Sequence, residues 1–549
     1  MAQIKGGQAV VESLLAQGVD TVFGIISFHM MEIYDALYDH RDAIRFISTR
    51  HEHAAALMAD GYARVTGKPG VCLTSTGPGA ANSVSGMGEA YFSSSPVLNI
   101  TSTAEEAIYG RGLGAAHETK DQLGMFTAVT QSNHHVSQPE AIPDRLYEAF
   151  ERFQTRRPRP IEIEIPVDVQ GQVADMEIPQ LTQFTPPGAD PASVERAAQL
   201  LLSGKRIAVL VGNGVQRSGA SNELVRLAET LGIPVFSTPS GKGAMSDENP
   251  LYLGVYGNRP GWTPSPKQNP LQGFLDSLDT VLVVGSSLSQ SRARGAGLRL
   301  PPNIIHVDID SESIGKNYET SVGGVGDAGA GLAQINAAIE GKSSQITAGF
   351  GQEVRELKGN ISDFWWEMMP NEMKTMEAIR SVVERDAVFI GDSASAVYRG
   401  ASYCLNMYEP RTYMTPLWSG LGFGFPAAVG AKAGLPDRQV ICLTGDGGFQ
   451  FNIQEIGTCV QYGLSPVVII FNDNAWGVLK DMQKAYYKSR YMAVDLQNPD
   501  FVKLAESYGA NGVRVDSLKE LAPALEAALH AGTVTLIDVQ TPGGIENFA

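Results

Sequence analysis

"VICLTGDGGFQFNIQEIGTCVQYGLSPVVIIFNDNAWG", residues 440 to 477, holds two short apolar runs that each break into polar, turn-forming residues. The run 440–444 ends in Gly-Asp-Gly-Gly, and the run 466–471 ends in Asn-Asp-Asn. Both runs are β-branched and too short for helices, so they read as buried strands. The helix-like stretch between them makes a strand–helix–strand unit, whose strands must run parallel. Open parallel sheets take their ligands at the carboxyl ends of the strands, which is where Asp446 and Asp473 fall. Gly445, Gly447 and Gly448 let the backbone approach closely and offer N–H groups to an anion. A carboxylate, a second oxygen donor and exposed amides together suit Mg²⁺ carrying a diphosphate. Gly-Asp-Gly alone would equally describe an acidic turn beside an unrelated Asn-Asp turn.

The same alternation extends through the chain. Helix-like "GGQAVVESLLAQGV" precedes "TVFGI", "HEHAAALMADGYARVTG" precedes "GVCLTST", and "PVLNITS" and "PIEIEIPVD" follow as buried strands. A polar, proline-bearing stretch near 170–190 and a second break at "GKSSQITAGFGQ", residues 341–352, interrupt the pattern. The expectation is α/β, with three doubly wound parallel-sheet domains at 1–175, 190–342 and 355–549. Such a division suits 549 residues, more than one hydrophobic core usually serves. A formal net charge of −17 argues against a sequence-independent grip on nucleic acid or an anionic membrane. No apolar run approaches the ~18 residues of a membrane span. The four cysteines show no CxxC pairing and read as core thiols, so the cytoplasm is the expected compartment.

The opening stretch resembles the signature of thiamine-diphosphate enzymes, in which Gly-Asp-Gly is followed about two dozen residues later by Asn-Asn or Asn-Asp. The resemblance implies thiamine diphosphate and Mg²⁺ as cofactors. It assigns the metal to Asp446, to Asp473 (more often asparagine in the family) and to the carbonyl of Ala475, with Gly447 and Gly448 beside the diphosphate. "STRHEHAAALMADGYARVTGKPGVCLTSTGPGAAN", residues 48 to 82, resembles the family's N-terminal signature and makes Glu52 the carboxyl that activates the cofactor. "SGLGFGFPAAVGAK" resembles the segment that wedges an apolar residue, here Leu421, between the cofactor rings, with the Ser419 carbonyl accepting from the pyrimidine amine. "IGDSASAVYRG" resembles the diphosphate-binding segment, with Ala394 and Ser395 as its contacts. The resemblance also implies that acid and metal come from different subunits. A homodimer is therefore the minimum assembly, and a homotetramer is compatible with it.

Over essentially the whole chain the sequence is similar to acetohydroxyacid (acetolactate) synthases, as in "GASNELVRLAETLGIPVFST" and "HVDIDSESIGKN". Those enzymes decarboxylate pyruvate and ligate the remainder to a second 2-oxo acid. Several positions depart from that group. Ser27, Phe28 and His29 replace a glycine-rich loop, and His29 matches a substrate-facing histidine of benzaldehyde lyase. His117 stands where glutamine is usual. Met482 aligns with the acceptor-selecting tryptophan, and Ser291, with Arg292 beside it, aligns with the substrate-holding arginine. Phe28, Met482 and Arg292 are the candidate substrate contacts, with 2-oxo acids or aldehydes as the small-molecule partners. "VGNGVQRSG" begins like the turn that holds a non-redox FAD but lacks GxGxxG spacing, so FAD is left open. A 2-oxo acid decarboxylase or hydroxyketone lyase, like benzoylformate decarboxylase or benzaldehyde lyase, remains the alternative enzyme. A non-catalytic regulatory homologue remains the alternative of another class.

Overall fold

The computed structural model describes residues 2–256, 267–289 and 298–549. Three six-stranded sheets, every pairing parallel, follow one another along the chain. Edge to edge, the first runs Arg45–Ser48, Thr21–Gly24, Gly70–Thr74, Val97–Thr103, Ile161–Pro166 and Ser132–His135. The second runs Tyr252–Val255, Val235–Ser237, Ile207–Val211, Thr280–Val284, Asn303–Asp308 and Val322–Val325. The third runs Tyr413–Met414, Val388–Gly391, Val440–Gly445, Val467–Asn472, Thr535–Gln540 and Asn511–Val515. Helices cover both faces, which is why runs such as Ile207–Val211 and Thr280–Val284 are buried at every residue. The chain is thus three doubly wound α/β domains.

Each sheet grows outward in both directions from an interior pair of strands, and at that pair the winding reverses. The reversal lies between Thr21–Gly24 and Gly70–Thr74 in the first sheet, and between Ile207–Val211 and Thr280–Val284 in the second. In the third it lies between Val388–Gly391 and Val440–Gly445. Crossover connections leave in opposite directions there, so a crevice opens at the strands' carboxyl ends. The three crevices therefore sit beside residues 25–29 and 75–79, residues 212–214 and 285–287, and residues 392–395 and 446–448.

Irregular chain at 177–190 joins the first domain to the second, and at 341–349 it leads out of the second. The helix Phe350–Met368 stays with the second domain, where Phe350 stacks on Phe274 and Glu353 pairs with Arg206. The first and third domains are locked by the helices Glu52–Thr66 and Gly424–Gly434. Gly61 lies against the Ala427 carbonyl and Gly430 against the Met58 carbonyl, so any side chain there would force the helices apart. All four cysteines are buried and unpaired, as expected of core thiols. No helix among the described residues is long and apolar enough to cross a membrane.

Candidate active site

Asp446 opens the short helix Asp446–Phe449 directly after the strand Val440–Gly445, and its side chain is buried. Asn498 Nδ2 donates to Asp446 Oδ2 at 2.5 Å and to Asn472 Oδ1 at 2.9 Å, bridging two neighbouring strand ends. Asp473 follows the second of those strands, and its Oδ1 accepts the Ala475 N–H at 3.1 Å. Burial raises the Asp446 carboxyl above its ordinary value. Burial, and then the charge of Asp446, push Asp473 up to about 7. Among the described residues no Lys or Arg forms an ion pair with either acid. Two crowded carboxylates without such an ion pair suit a hard divalent ion. No group of three or more His, Cys, Asp or Glu side chains poised for a metal occurs among the described residues. A cation here would thus draw its remaining ligands from carbonyl or phosphate oxygens.

The glycines beside the acids leave room for a ligand. A Cβ on Gly477 would collide with Asp473 Oδ2 and touch Ser395 Oγ, so the metal-side acid and the Ala394–Ser395 turn converge there. Ala394 is buried, and its N–H already donates to the Asp392 carbonyl at 2.9 Å. Ser395 is half-buried just before the π-helical turn Ala396–Ala401. Gly447 packs under the Trp476 ring, and Gly448 faces Asp392 Oδ2. Ser419 is exposed with φ +61°, and Leu421 is half-buried two residues later. Met482 lies on the helix Gly477–Tyr486, none of whose residues is fully buried. Arg292 lies outside the described residues.

Glu52 is the first residue of the helix Glu52–Thr66, where the helix dipole favours a carboxylate. Asn82 Nδ2 donates to its Oε2 at 3.0 Å, and a Cβ on Gly79 would sit 3.2 Å from its Oε1. His29 lies in the short 3-10 turn Phe28–Met30 beside Ser27, whose hydroxyl shares a 2.5 Å hydrogen bond with Ser75. His29 Nδ1 is buried without a hydrogen-bond partner, and its ring centroid is 5.0 Å from that of His117. Burial, and then His117, hold the His29 pKa below its ordinary value, which favours the neutral ring at neutral pH. His117 has φ +64°, a strained conformation for a residue with a Cβ. Phe28 is 81% exposed, a large apolar ring directed at solvent. The structure therefore gathers Glu52, His29, His117 and Phe28 at the first crevice, and Asp446, Asp473, Ala394 and Ser395 at the third. Among the described residues no hydrogen bond or ion pair joins Glu52 to Asp446 or Asp473 within the chain.

Three residues that sequence reasoning passed over, buried Asp392 and Glu455 and half-buried Asn498, hold these pieces in place. Asp392 accepts from the N–H groups of Ser393, Gly422 and Gly424 and from the Thr444 hydroxyl, tying three loops of the third crevice together. Asn498 bridges the strand ends. Glu455 receives the Arg50 N–H at both oxygens, at 3.0 and 3.2 Å, and the Thr458 hydroxyl at 2.7 Å. It thereby anchors the segment just ahead of Glu52. The only advance signal for Glu455 was an acid on the apolar side of the helical stretch in the quoted sequence.

Burial pushes the Glu455 carboxyl up to about 7, against the pull of its hydrogen bonds. Its stabilising contribution is therefore complete below the ordinary carboxylate pKa and is lost as pH rises toward 7. Glu455→Gln cannot titrate, so its denaturation midpoint is expected to fall less than that of the parent between about pH 4.5 and 7. The linked free energy is on the order of 3 kcal/mol. Parallel midpoint-against-pH curves for the two proteins would contradict this.

Comparison with known proteins agrees with this geometry. Residues 4–125, 194–335 and 392–539 match in turn the N-terminal TPP binding, central and C-terminal TPP binding domains of thiamine pyrophosphate enzymes. The chain is 35% identical to a probable acetolactate synthase large subunit of Methanocaldococcus jannaschii, over 98% of this chain and 92% of the relative. It is 33% identical to a probable 2-ketoarginine decarboxylase of Pseudomonas aeruginosa, over 98% and 94%. It is 32% identical to an acetolactate synthase large subunit of Corynebacterium glutamicum, over 96% and 85%. With its three domains in family order and two acids at adjacent strand ends, the chain belongs to the thiamine pyrophosphate enzymes.

Proposed function

We propose that the protein decarboxylates a pyruvate-like 2-oxo acid and joins the remaining acyl fragment to a second carbonyl compound, as an acetolactate synthase does. The observation that carries this reading is the Asp446–Asp473 pair, two crowded acids beside glycine backbone, with which no Lys or Arg among the described residues forms an ion pair. Asp446, Asp473 and the Ala475 carbonyl would hold Mg²⁺. Gly447, Gly448, Ala394 and Ser395 would surround the diphosphate, while Leu421 and the Ser419 carbonyl would orient the rings. Bound thiamine diphosphate supplies a nucleophilic carbon and a sink for the electron pair released with CO₂. Glu52 holds and returns a proton at its carboxyl, with Asn82 fixing one oxygen. Phe28 and Met482 would border the substrate.

His29 and His117 would hold and move protons near the substrate after CO₂ leaves. His29→Ala and His117→Ala are therefore expected to leave hydrogen exchange at the cofactor's reactive carbon intact. They are expected to change the ratio of ligated product to free aldehyde by about fivefold or more. Exchange lost as completely as in a Glu52 variant would move both histidines into cofactor activation.

The same reading includes a homodimer, with each site built from Glu52 of one chain and the metal acids of the other; among the described residues no hydrogen bond or ion pair joins these groups within one chain. Exposed Ile26, Phe28, Met31 and Leu113 near the first crevice, and Phe451 and Leu479 near the third, leave apolar surface for a second copy to cover. A further cofactor of the FAD kind belongs to the same reading. The second crevice opens into a cavity of about 710 Å³ lined by Asn213, Arg217, Ser286 and Asp308. Arg217 Nε is shut off from solvent without an acceptor, and burial together with Arg64, Arg157 and Arg411 brings its pKa down to about 9. Its Nη2 donates to the Ser93 carbonyl at 3.4 Å, and a guanidinium with no carboxylate ion pair among the described residues, lining such a cavity, favours an anionic ligand such as a dinucleotide diphosphate.

A second reading, simple decarboxylation, is favoured by the histidine pair and by the relative named as a 2-ketoarginine decarboxylase. Product analysis separates the two. Acetolactate formed from pyruvate alone is the expected result. CO₂ and free aldehyde without a ligated product, even with added acceptor aldehyde, would replace the first reading by the second. Tight cofactor binding without CO₂ release from any 2-oxo acid would favour a non-catalytic homologue.

A further inference from the structure

The strand Ile161–Pro166 is buried along its length, yet it carries Glu162 and Glu164 on one face. Buried carboxyls need partners, so the destination of their hydrogen bonds is informative. Thr101 Oγ1 donates to Glu162 Oε1 at 2.6 Å. Glu164 Oε1 meets His135 Nδ1 at 2.7 Å, and His135 Nε2 meets Glu106 Oε2 at 2.8 Å. Tyr109 stacks over the His135 ring, with centroids 4.0 Å apart. Burial, and then Glu164, raise Glu162 well above the usual carboxylate range. Burial opposes a charged His135, but the two carboxylates outweigh it and raise its pKa.

The chain of contacts continues through Gln122 to the first crevice. Gln122 Nε2 donates to Glu164 Oε2 at 3.1 Å, to the Ser102 carbonyl at 2.9 Å and to Thr101 Oγ1 at 3.2 Å. Gln122 Oε1 accepts the Gly77 N–H at 2.8 Å and the Thr76 hydroxyl at 3.2 Å. The Ser102 carbonyl can only accept and the Gly77 N–H can only donate, so the amide has a single orientation. Gly77 lies at φ +59°, and a Cβ on it would collide with the His117 carbonyl. Two residues later Gly79 abuts Glu52 Oε1. The turn gripped by Gln122 therefore backs both His117 and Glu52.

We propose that Gln122 is a positioning residue: its carboxamide ties the Thr76–Gly77 turn to the buried Glu164–His135–Glu106 chain, and that tie holds His117 against His29 and backs Glu52. The catalytic consequence rests on the proposed function, whereas the placement of His117 against His29 does not. Gln122→Met keeps the side chain's length and removes all five hydrogen bonds. Gln122→Glu keeps the acceptor toward Gly77 and sets a carboxyl oxygen against Glu164. That carboxyl can donate to Glu164 only when protonated. Of the charged and titratable groups around it, that carboxyl would meet Glu164 directly; Glu162 lies beyond Thr101, His135 and Glu106 beyond Glu164 with Tyr109 stacked on His135, His117 beyond Gly77, and Asp121 precedes it in the chain.

The test combines histidine NMR on cofactor-free protein, with the His29 signal identified by His29→Ala, with CO₂ release from pyruvate and calorimetry of thiamine diphosphate. In Gln122→Met the His29 midpoint is expected to rise toward its ordinary value as His117 withdraws. Turnover should fall about tenfold or more while cofactor affinity stays within about threefold, because the proposed diphosphate anchors are elsewhere. Gln122→Glu should regain turnover relative to the parent as pH falls from about 8 to 6, with protonation restoring the donor. If Gln122→Met does not fold, that pH-dependent recovery carries the test, and its absence overturns the proposal. An unmoved His29 midpoint in a folded Gln122→Met also overturns it. A shifted midpoint with unchanged turnover sustains the positioning and instead removes His29 and His117 from the proposed reaction.

Discussion

Asp446→Ala is expected to weaken thiamine diphosphate binding in the presence of Mg²⁺ by about a hundredfold or more, and turnover at low cofactor should drop to about 1% or less. Asp446 is buried at a strand end, seated by Asn498 and crowded by Asp473. On the proposed assignment it is one of only two protein carboxylates on the cation, and the cation is the main counter-charge to the diphosphate. Alanine removes a ligand and leaves the Asn498 amide with Asn472 as its remaining acceptor, so both the metal and the loop that presents it loosen. Raising Mg²⁺ and cofactor together should recover part of the activity, since the loss is one of binding and yields to mass action. Calorimetry decides the matter: unchanged cofactor affinity would mean that Asp446 is not the anchor. An affinity loss that high Mg²⁺ cannot offset would point to collapse of the loop rather than to a missing ligand.

The parts of this architecture that were legible in the sequence are those written in contiguous residues. Val467–Asn472 and Val440–Gly445 are β-branched and end in glycine or Asx turns because parallel strands are buried on both faces and must stop where a ligand crevice opens. Asp446 and Asp473 could be placed at those ends without coordinates. Residues whose role lies in distant partners could not. Asp392 gathers Gly422, Gly424 and Thr444, and Glu455 reaches back to Arg50; neither spacing follows any local period. The strand Ile161–Pro166 reads as buried from its sequence and is buried along its length, but the partners of its two glutamates follow from no local pattern. Only tertiary packing bonds Glu164 to Gln122 and His135, and Glu162 to Thr101. His117 was singled out by residue type. Its φ of +64° and its contact with His29 belong to the folded backbone alone.

Glu52→Gln is expected to leave the fold and the affinity for thiamine diphosphate nearly unchanged, while turnover falls by about 10²–10⁴-fold. Glutamine has the same length and volume. Its carbonyl oxygen can keep the hydrogen bond from Asn82, and its bulk still fills the space beside Gly79. The helix Glu52–Thr66 keeps its start, because the side chain that caps it belongs to His51, whose Nδ1 accepts the His53 N–H at 3.1 Å. What the amide cannot do is take up and give back a proton, which is the one function proposed for Glu52. The loss should therefore appear in turnover and in hydrogen exchange at the reactive carbon of the bound cofactor, with little change in the calorimetric affinity. This is the reverse of the Asp446→Ala pattern, in which affinity fails first. The pair of variants thus tests whether the first and third domains divide the work, one moving a proton and the other holding the metal and diphosphate. Near-parental turnover in a folded Glu52→Gln protein would reject the assignment, and a parallel loss of cofactor affinity would recast Glu52 as a binding residue.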